Sequence, residues 1–239
     1  MPRQLKYNQA IAKALISNAD GIIEAIDKYL AKADDELSDV LADEGYADAE
    51  DSVKVINAMQ EEIAETLQNQ TDDLVEALAA EQDSGWAAAQ KKVSEMLDGD
   101  DIAEQVQEAA ADMFQTEIPK LATVYMQETD GELVVDAIRQ RTRSWIDSWS
   151  QRLGQLMKIS THQQITDVIQ KTIDKGGSIQ ELIRRIMDGG WRNEYYQARR
   201  VAVTEVLRAH SVAREEAIQQ SPSTDRERSR KLFVPRFVR

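Results

Sequence analysis

The stretch Val53-Lys-Val-Ile-Asn-Ala-Met-Gln-Glu-Glu-Ile-Ala-Glu-Thr-Leu67 decides the fold class. Val53, Ile56, Met59, Ile63 and Leu67 recur at spacings of three and four, which gathers them on one face of an α-helix. A strand would alternate apolar and polar residues between paired turn signals, and no stretch of the chain does so. Upstream, Ala12, Leu15, Ile16, Ala19, Ile22, Ile23, Ile26 and Leu30 predict a first helix from Gln4 to Lys32, weakened modestly by Gly21. An acidic patch from Asp34 to Asp51, with Gly45 as a break, separates the two.

Downstream, Thr71-Asp72-Asp73 predicts a new helix start. Thr or Asp can accept from free backbone amides there, and acids suit the positive end of the helix. Leu74, Val75, Leu78 and Ala79 form its apolar face. Ser84 is the expected cap of a short helix through Trp86, Val93, Met96 and Leu97, and Asp98-Gly99-Asp100-Asp101 is a break. The next helix runs from Ile102 towards Gln127, with a kink expected near Pro119, which lacks an amide hydrogen. A long segment follows through Leu133, Ile138, Trp145, Ile146, Trp149, Leu153 and Leu156. Ser160-Thr161 predicts a fresh start, Lys175-Gly176-Gly177 a stop, Ser178 a start and Asp188-Gly189-Gly190 another stop. The last helix is expected over Glu194 to Gln220. These segments define an all-α fold, a multi-helix elongated or two-part assembly without the repeat of about 20–50 residues that marks a solenoid.

Of the 239 residues, 42% are hydrophobic and 30% charged, with 4 Pro and 10 Gly, a balance that favours helix and allows a core. There is no Cys, so disulfides, thiolate nucleophiles and cysteine metal sites are excluded together. No apolar run approaches the roughly 18 residues that span a bilayer, and the N-terminus has no apolar signal core. A protein made in the cytoplasm, with no membrane partner, is expected. The net charge of −14 hides a polarity. Residues 1–130 carry nine Lys and Arg against thirty Asp and Glu, a net −21, and residues 131–239 carry twenty against thirteen, a net +7. Thr129-Asp130-Gly131 is thus the clearest boundary, giving an acidic helical region 1–130, a basic helical region 131–220 and a basic tail 221–239. The first should repel nucleic acid, and the second can tolerate it.

Catalysis has little to work with. His162 and His210 stand far apart and in no metal-binding spacing, and no phosphate-cradling glycine loop exists. His210 falls on the apolar side of the last helix, beside Val203, Val206, Leu207 and Ala213, where a packing or hydrogen-bonding role is expected. Asp98-Gly99-Asp100-Asp101 resembles part of a calcium loop, but the twelfth position is Ala109 where a bidentate Glu is required. The carboxylate pairs read as a solvated acidic face. No cofactor or metal is implied. Trp145 and Trp149, spaced i, i+4 among Arg139, Arg141, Arg143 and Arg152, read first as a core or subunit-contact stripe. The second reading is nucleic-acid contact through Arg141, Arg143, Trp145 and Trp149, by phosphate pairing and stacking. The tail Arg226-Glu-Arg-Ser-Arg-Lys-Leu-Phe-Val-Pro-Arg-Phe-Val-Arg239 holds six basic residues and one acid. Arg228, Arg230 and Lys231 are candidate phosphate contacts, weak and salt-dependent; the other reading is an end that docks on a partner.

One segment carries a resemblance. Gly176-Gly-Ser-Ile-Gln-Glu-Leu-Ile-Arg-Arg-Ile186, followed by Ala198-Arg-Arg-Val-Ala-Val-Thr-Glu-Val-Leu-Arg-Ala-His-Ser-Val-Ala-Arg214, resembles the phage head morphogenesis family, the minor head proteins similar to protein F of phage Mu. Ala202, Thr204, Glu205, Arg208 and Ala209 match the family's helix in order and spacing, while Val203 stands where Arg is usual. The resemblance implies a non-enzymatic minor head protein of few copies, acting in procapsid assembly at the portal vertex. Its implied partners are the portal protein, other head proteins and packaged DNA, and its implied location is the host cytoplasm and then the virion head. The acidic amphipathic first half suits a different role, a helical scaffold or ejected internal virion protein. Read without the family, Glu205 and Arg208 are i, i+3 neighbours able to pair, as Arg200 and Thr204 are one turn apart. They serve either ordinary surface pairing or a polar cluster, with His210 nearby, that fixes the docking of two helices.

Overall fold

The computed structural model describes residues 34–128, 134, 135 and 137–221, with the backbone alone at 189–193. The helix expected at Gln4–Lys32 and the basic tail from 222 lie outside the described residues. Those residues form six helices and no strand. They are α1 (Asp34–Asp43), α2 (Ala49–Ala80), α3 (Trp86–Leu97), α4 (Asp101–Gln127), α5 (Gln140–Asp174) and α6 (Ile179–Gln220). The protein is all-α.

The predicted apolar face of α2 is the buried one: Val53, Ile56, Met59, Ile63 and Leu67 all enter the main core. There they meet Leu37 and Leu41 of α1, Phe114 and Ile118 of α4, Ile146 and Leu153 of α5, and Ala198, Ala202 and Val206 of α6. Small residues on α6 let α2 and α4 close on it. At one crossing the backbones nearly touch, since a Cβ on Gly154 of α5 would lie 2.1 Å from the Ala103 carbonyl oxygen of α4. A second, smaller core joins Leu74 and Leu78 of α2, Ala89 and Val93 of α3, Ile169 of α5, and Ile179 and Leu182 of α6.

Cross-helix hydrogen bonds fix the register. Along α2 and the turn just past it, the partners Ser52–His210, Gln60–Arg199, Thr71–Glu194 and Gln82–Gln180 run backwards on α6. Along α5 the partners Thr142–Glu216, Trp149–Glu205, Gln164–Gln197 and Arg185–Thr172 do the same. Both α2 and α5 are therefore antiparallel to α6. The chain between α4 and α5 is pinned by Val135 N–H to Thr123 Oγ1 (3.1 Å) and Gln220 Nε2 to the Ala137 carbonyl (3.0 Å). The change of charge sign at 130/131 divides the composition, while the main core draws on both sides of it.

Several expected boundaries differ. Thr71, Ser160 and Gly189-Gly190 do not start or stop helices; α2, α5 and α6 continue through them. Each helix has apolar residues on both sides of the weak stretch, and packing them overrides local preference. The Thr71 hydroxyl, expected to cap, donates instead to Glu194. Ser84 is not the cap of α3; Gly85 is, at φ 83° and with no side-chain cap bond. The expected stop at Gly176 is present, at φ +67°, a left-handed conformation that glycine adopts without a Cβ clash. Ser178 caps α6 as expected, its Oγ accepting from Glu181 N–H at 3.1 Å.

Candidate functional site

The Thr-Glu and Arg-Ala segment lies in the second half of α6, facing α2, α4 and α5. Glu205 is 3% exposed and lies between two donors. Trp149 Nε1–H of α5 donates to its Oε2 at 2.8 Å, and Arg208 Nε–H donates to the same oxygen at 2.8 Å. The Arg208 guanidinium also stands over the Trp149 ring, 4.1 Å from its centroid. Burial pushes the Glu205 carboxyl upward, and the Arg208 charge and the two hydrogen bonds oppose it. These contacts join α6 to α5. Thr204 does not pair with the Arg200 side chain; its hydroxyl donates to the Arg200 carbonyl at 2.8 Å.

One turn on, His210 is fully buried and bonded on both ring nitrogens. Ser52 Oγ of α2 is 2.8 Å from Nε2, and the Tyr125 hydroxyl of α4 is 2.8 Å from Nδ1. The Ser52 hydroxyl donates to the Asp48 carbonyl and Ala47 N–H donates to the Tyr125 oxygen. One tautomer satisfies every group: Nε2–H donates to Ser52, and Nδ1 accepts from Tyr125. The result is a directed circuit from Ala47 N–H to the Asp48 carbonyl that joins α2, α4 and α6. The His210 pKa falls to about 4, first because of burial and then because of nearby Arg214. That arginine lies over the Tyr125 ring at 4.7 Å and donates to the Gly45 carbonyl.

Two buried ionic clusters were not singled out by sequence. Glu216, 1% exposed, accepts from Arg139 backbone N–H (2.7 Å), Arg139 Nε (3.2 Å) and Nη2 (3.1 Å), Thr142 Oγ1 (2.5 Å) and Gln220 Nε2 (2.7 Å). Burial alone would raise its pKa, but these bonds together hold it below the usual carboxylate range. Arg199, 9% exposed, donates to Asn57, to Gln60 (3.2 Å) and to Asp34 (3.2 Å). The signal was available: Glu216 falls on the same helical stripe as Ala198, Ala202, Ala209 and Ala213, and Arg199 falls on the neighbouring apolar stripe with Val203 and Val206. A charge on an apolar stripe requires a partner.

The tryptophan pair is stacked, with planes 2° apart and centroids 6.4 Å apart, and both rings are half-buried. Trp145 also meets Phe114 edge-on at 5.1 Å. Both rings pack against the main core. Arg141 and Arg143 are exposed near the start of α5, while Arg228, Arg230 and Lys231 lie outside the described residues. His162 is half-buried on α5, with no link to His210. An open acidic groove of about 190 Å³ between α2 and α4 is lined by Glu62, Glu65, Thr66, Asn69, Gln105 and Glu108. Among the described residues no cluster of three His, Cys, Asp or Glu is arranged to hold a metal ion, and no helix is long and apolar enough to cross a membrane.

Fold and site together define an all-α protein whose buried polar groups fasten long helices to one another. The chain is similar to the uncharacterized protein YqbB of Bacillus subtilis (strain 168), 27% identical over 224 residues, which span 90% of this chain and 72% of that protein. No family model matches the chain. No solved structure matches it.

Proposed function

We propose that this protein is a minor head protein of a tailed phage, an architectural and non-enzymatic component that acts at the portal vertex during procapsid assembly. The observation that carries the reading is the use of the motif. Glu205, Arg208 and His210, within the segment that resembles the head morphogenesis family, are bonded to Trp149, Ser52 and Tyr125 of three other helices. Such residues build a rigid body that others bind; they do not present a nucleophile or an activated water. The exposed Arg141 and Arg143 suit salt-dependent contact with packaged DNA or with an acidic surface of the portal.

A second reading, a helical scaffold or ejected internal protein, is favoured by the acidic groove between α2 and α4. Quantitative mass spectrometry of procapsids and mature virions separates them. A few copies per particle, tracking the portal, are expected of the minor head protein. Hundreds of copies lost on maturation would replace it with the scaffold, and absence from both particles would reject both.

A further inference from the structure

Among the described residues the two cores do not merge. In α2 the main core ends at Leu67 and the small core begins at Leu74, leaving Gln68-Asn-Gln-Thr-Asp-Asp73 between them. In α5 the corresponding gap is Lys158-Ile-Ser-Thr-His-Gln-Gln164, and in α6 the described side chains of Met187, Asp188 and Glu194 to Gln197 enter neither core. The Thr71–Glu194 and Gln197–Gln164 contacts put these three stretches at one level. Among the described residues a waist therefore separates the two cores, crossed by three continuous helices and bordered by the Asp98-Gly99-Asp100 connection, where Asp100 accepts from Lys158.

Two independent observations show that this layer is poorly locked. Four buried side-chain oxygens here have no partner: Gln68 Oε1, Gln70 Oε1, Thr161 Oγ1 and Glu194 Oε2. Folded interiors rarely tolerate one such group, because its lost hydration is not replaced. In addition, three spots where local sequence argues against a continuous helix fall in this layer: Thr71, Ser160-Thr161 and Gly189-Gly190. Paired glycines in a helix interior and capping residues in mid-helix lower the cost of opening a turn.

We propose that the waist is a hinge: the small lobe, built from the end of α2, α3, the end of α5 and the start of α6, tilts on the main lobe by yielding of these three helix segments together. Tilting gives the unpartnered oxygens access to water, while each lobe keeps its own core. Burial pushes the Glu194 carboxyl upward, against the bond from Thr71, in keeping with a site where a charge is held without full compensation.

The chain has no cysteine, so spin labels can be placed without background. Labels at Lys92→Cys on α3 and Gln115→Cys on α4, both exposed, span the waist; labels at Gln115→Cys and Ser148→Cys lie within the main lobe. Pulsed electron-electron resonance should give a cross-waist distance distribution at least twice as wide as the control. It should narrow to the control width in Gly189→Ala/Gly190→Ala. A cross-waist distribution as narrow as the control overturns the hinge. Hydrogen exchange on the unmodified chain covers misfolding of the variant. Amides of 68–73, 159–164 and 188–195 should exchange at least about ten-fold faster than those on either side in the same helices. Uniform protection along α2, α5 and α6 overturns the hinge equally.

Discussion

His210 holds its place by accepting at Nδ1 and donating at Nε2, so a second ring proton would point at the Tyr125 hydroxyl hydrogen and break the circuit. The sign of the pH effect follows. The unfolded chain takes up this proton near pH 6.5, while the folded chain refuses it until about 4. Its contribution is therefore complete above pH 6.5, declines as the pH falls from 6.5 to 4, and is gone below that. The shift corresponds to about 3 kcal/mol at about 1.4 kcal/mol per pKa unit. Urea unfolding of the native chain and of His210→Gln at pH 7.5, 5.5 and 4 should show their stability difference shrinking by about that amount. A constant difference would mean the imidazole titrates alike in both states. Raised Glu205 and lowered Glu216 act in opposite directions on the absolute curves. Only the difference between the two proteins isolates the histidine.

At the scale of elements, the tightest constraint is the crossing of α4 and α5. A methyl group on Gly154 would meet backbone atoms of Ala103, which cannot rotate away as a side chain can. Gly154→Ala should destabilise by about 3 kcal/mol or more, read as a large fall in Tm, because the helices must part. An unchanged Tm would show that the crossing has slack. The apolar face of α2, the Ser178 cap and the Gly176 stop were legible because each is a local pattern with a local cause. The continuity of α2, α5 and α6 was not: Thr71, Ser160 and Gly189-Gly190 are genuine local break signals, outvoted by apolar residues several turns away on other helices. The site was half legible. Pairing of Glu205 with Arg208 follows from i, i+3 spacing, but Trp149, Ser52 and Tyr125 come from elsewhere in the chain. Nothing in the local sequence names them.

For the whole molecule, the main core matters more than the charge map. Leu37, Ile56 and Phe114 of the acidic part share that core with Ile146, Val203 and Ala213 of the basic part. Residues 34–130 and 131–221 made as separate chains should each lack a cooperative thermal transition, and mixing them should restore one, followed by circular dichroism. Independent melting of either piece would show that the halves fold alone. The small lobe, by contrast, consists of two chain reversals whose ends meet through Gln180 and Gln82, 3.3 Å apart. From Glu194 to Ile179 the last helix rises through fifteen steps, about 22 Å at 1.5 Å each. A tilt of about 10° at the waist therefore carries the tip through about 4 Å, the travel of a lever whose arm is set by helix length. Adding or removing one turn in α5 and α6 beyond the waist would change that stroke while leaving every contact of the main core in place.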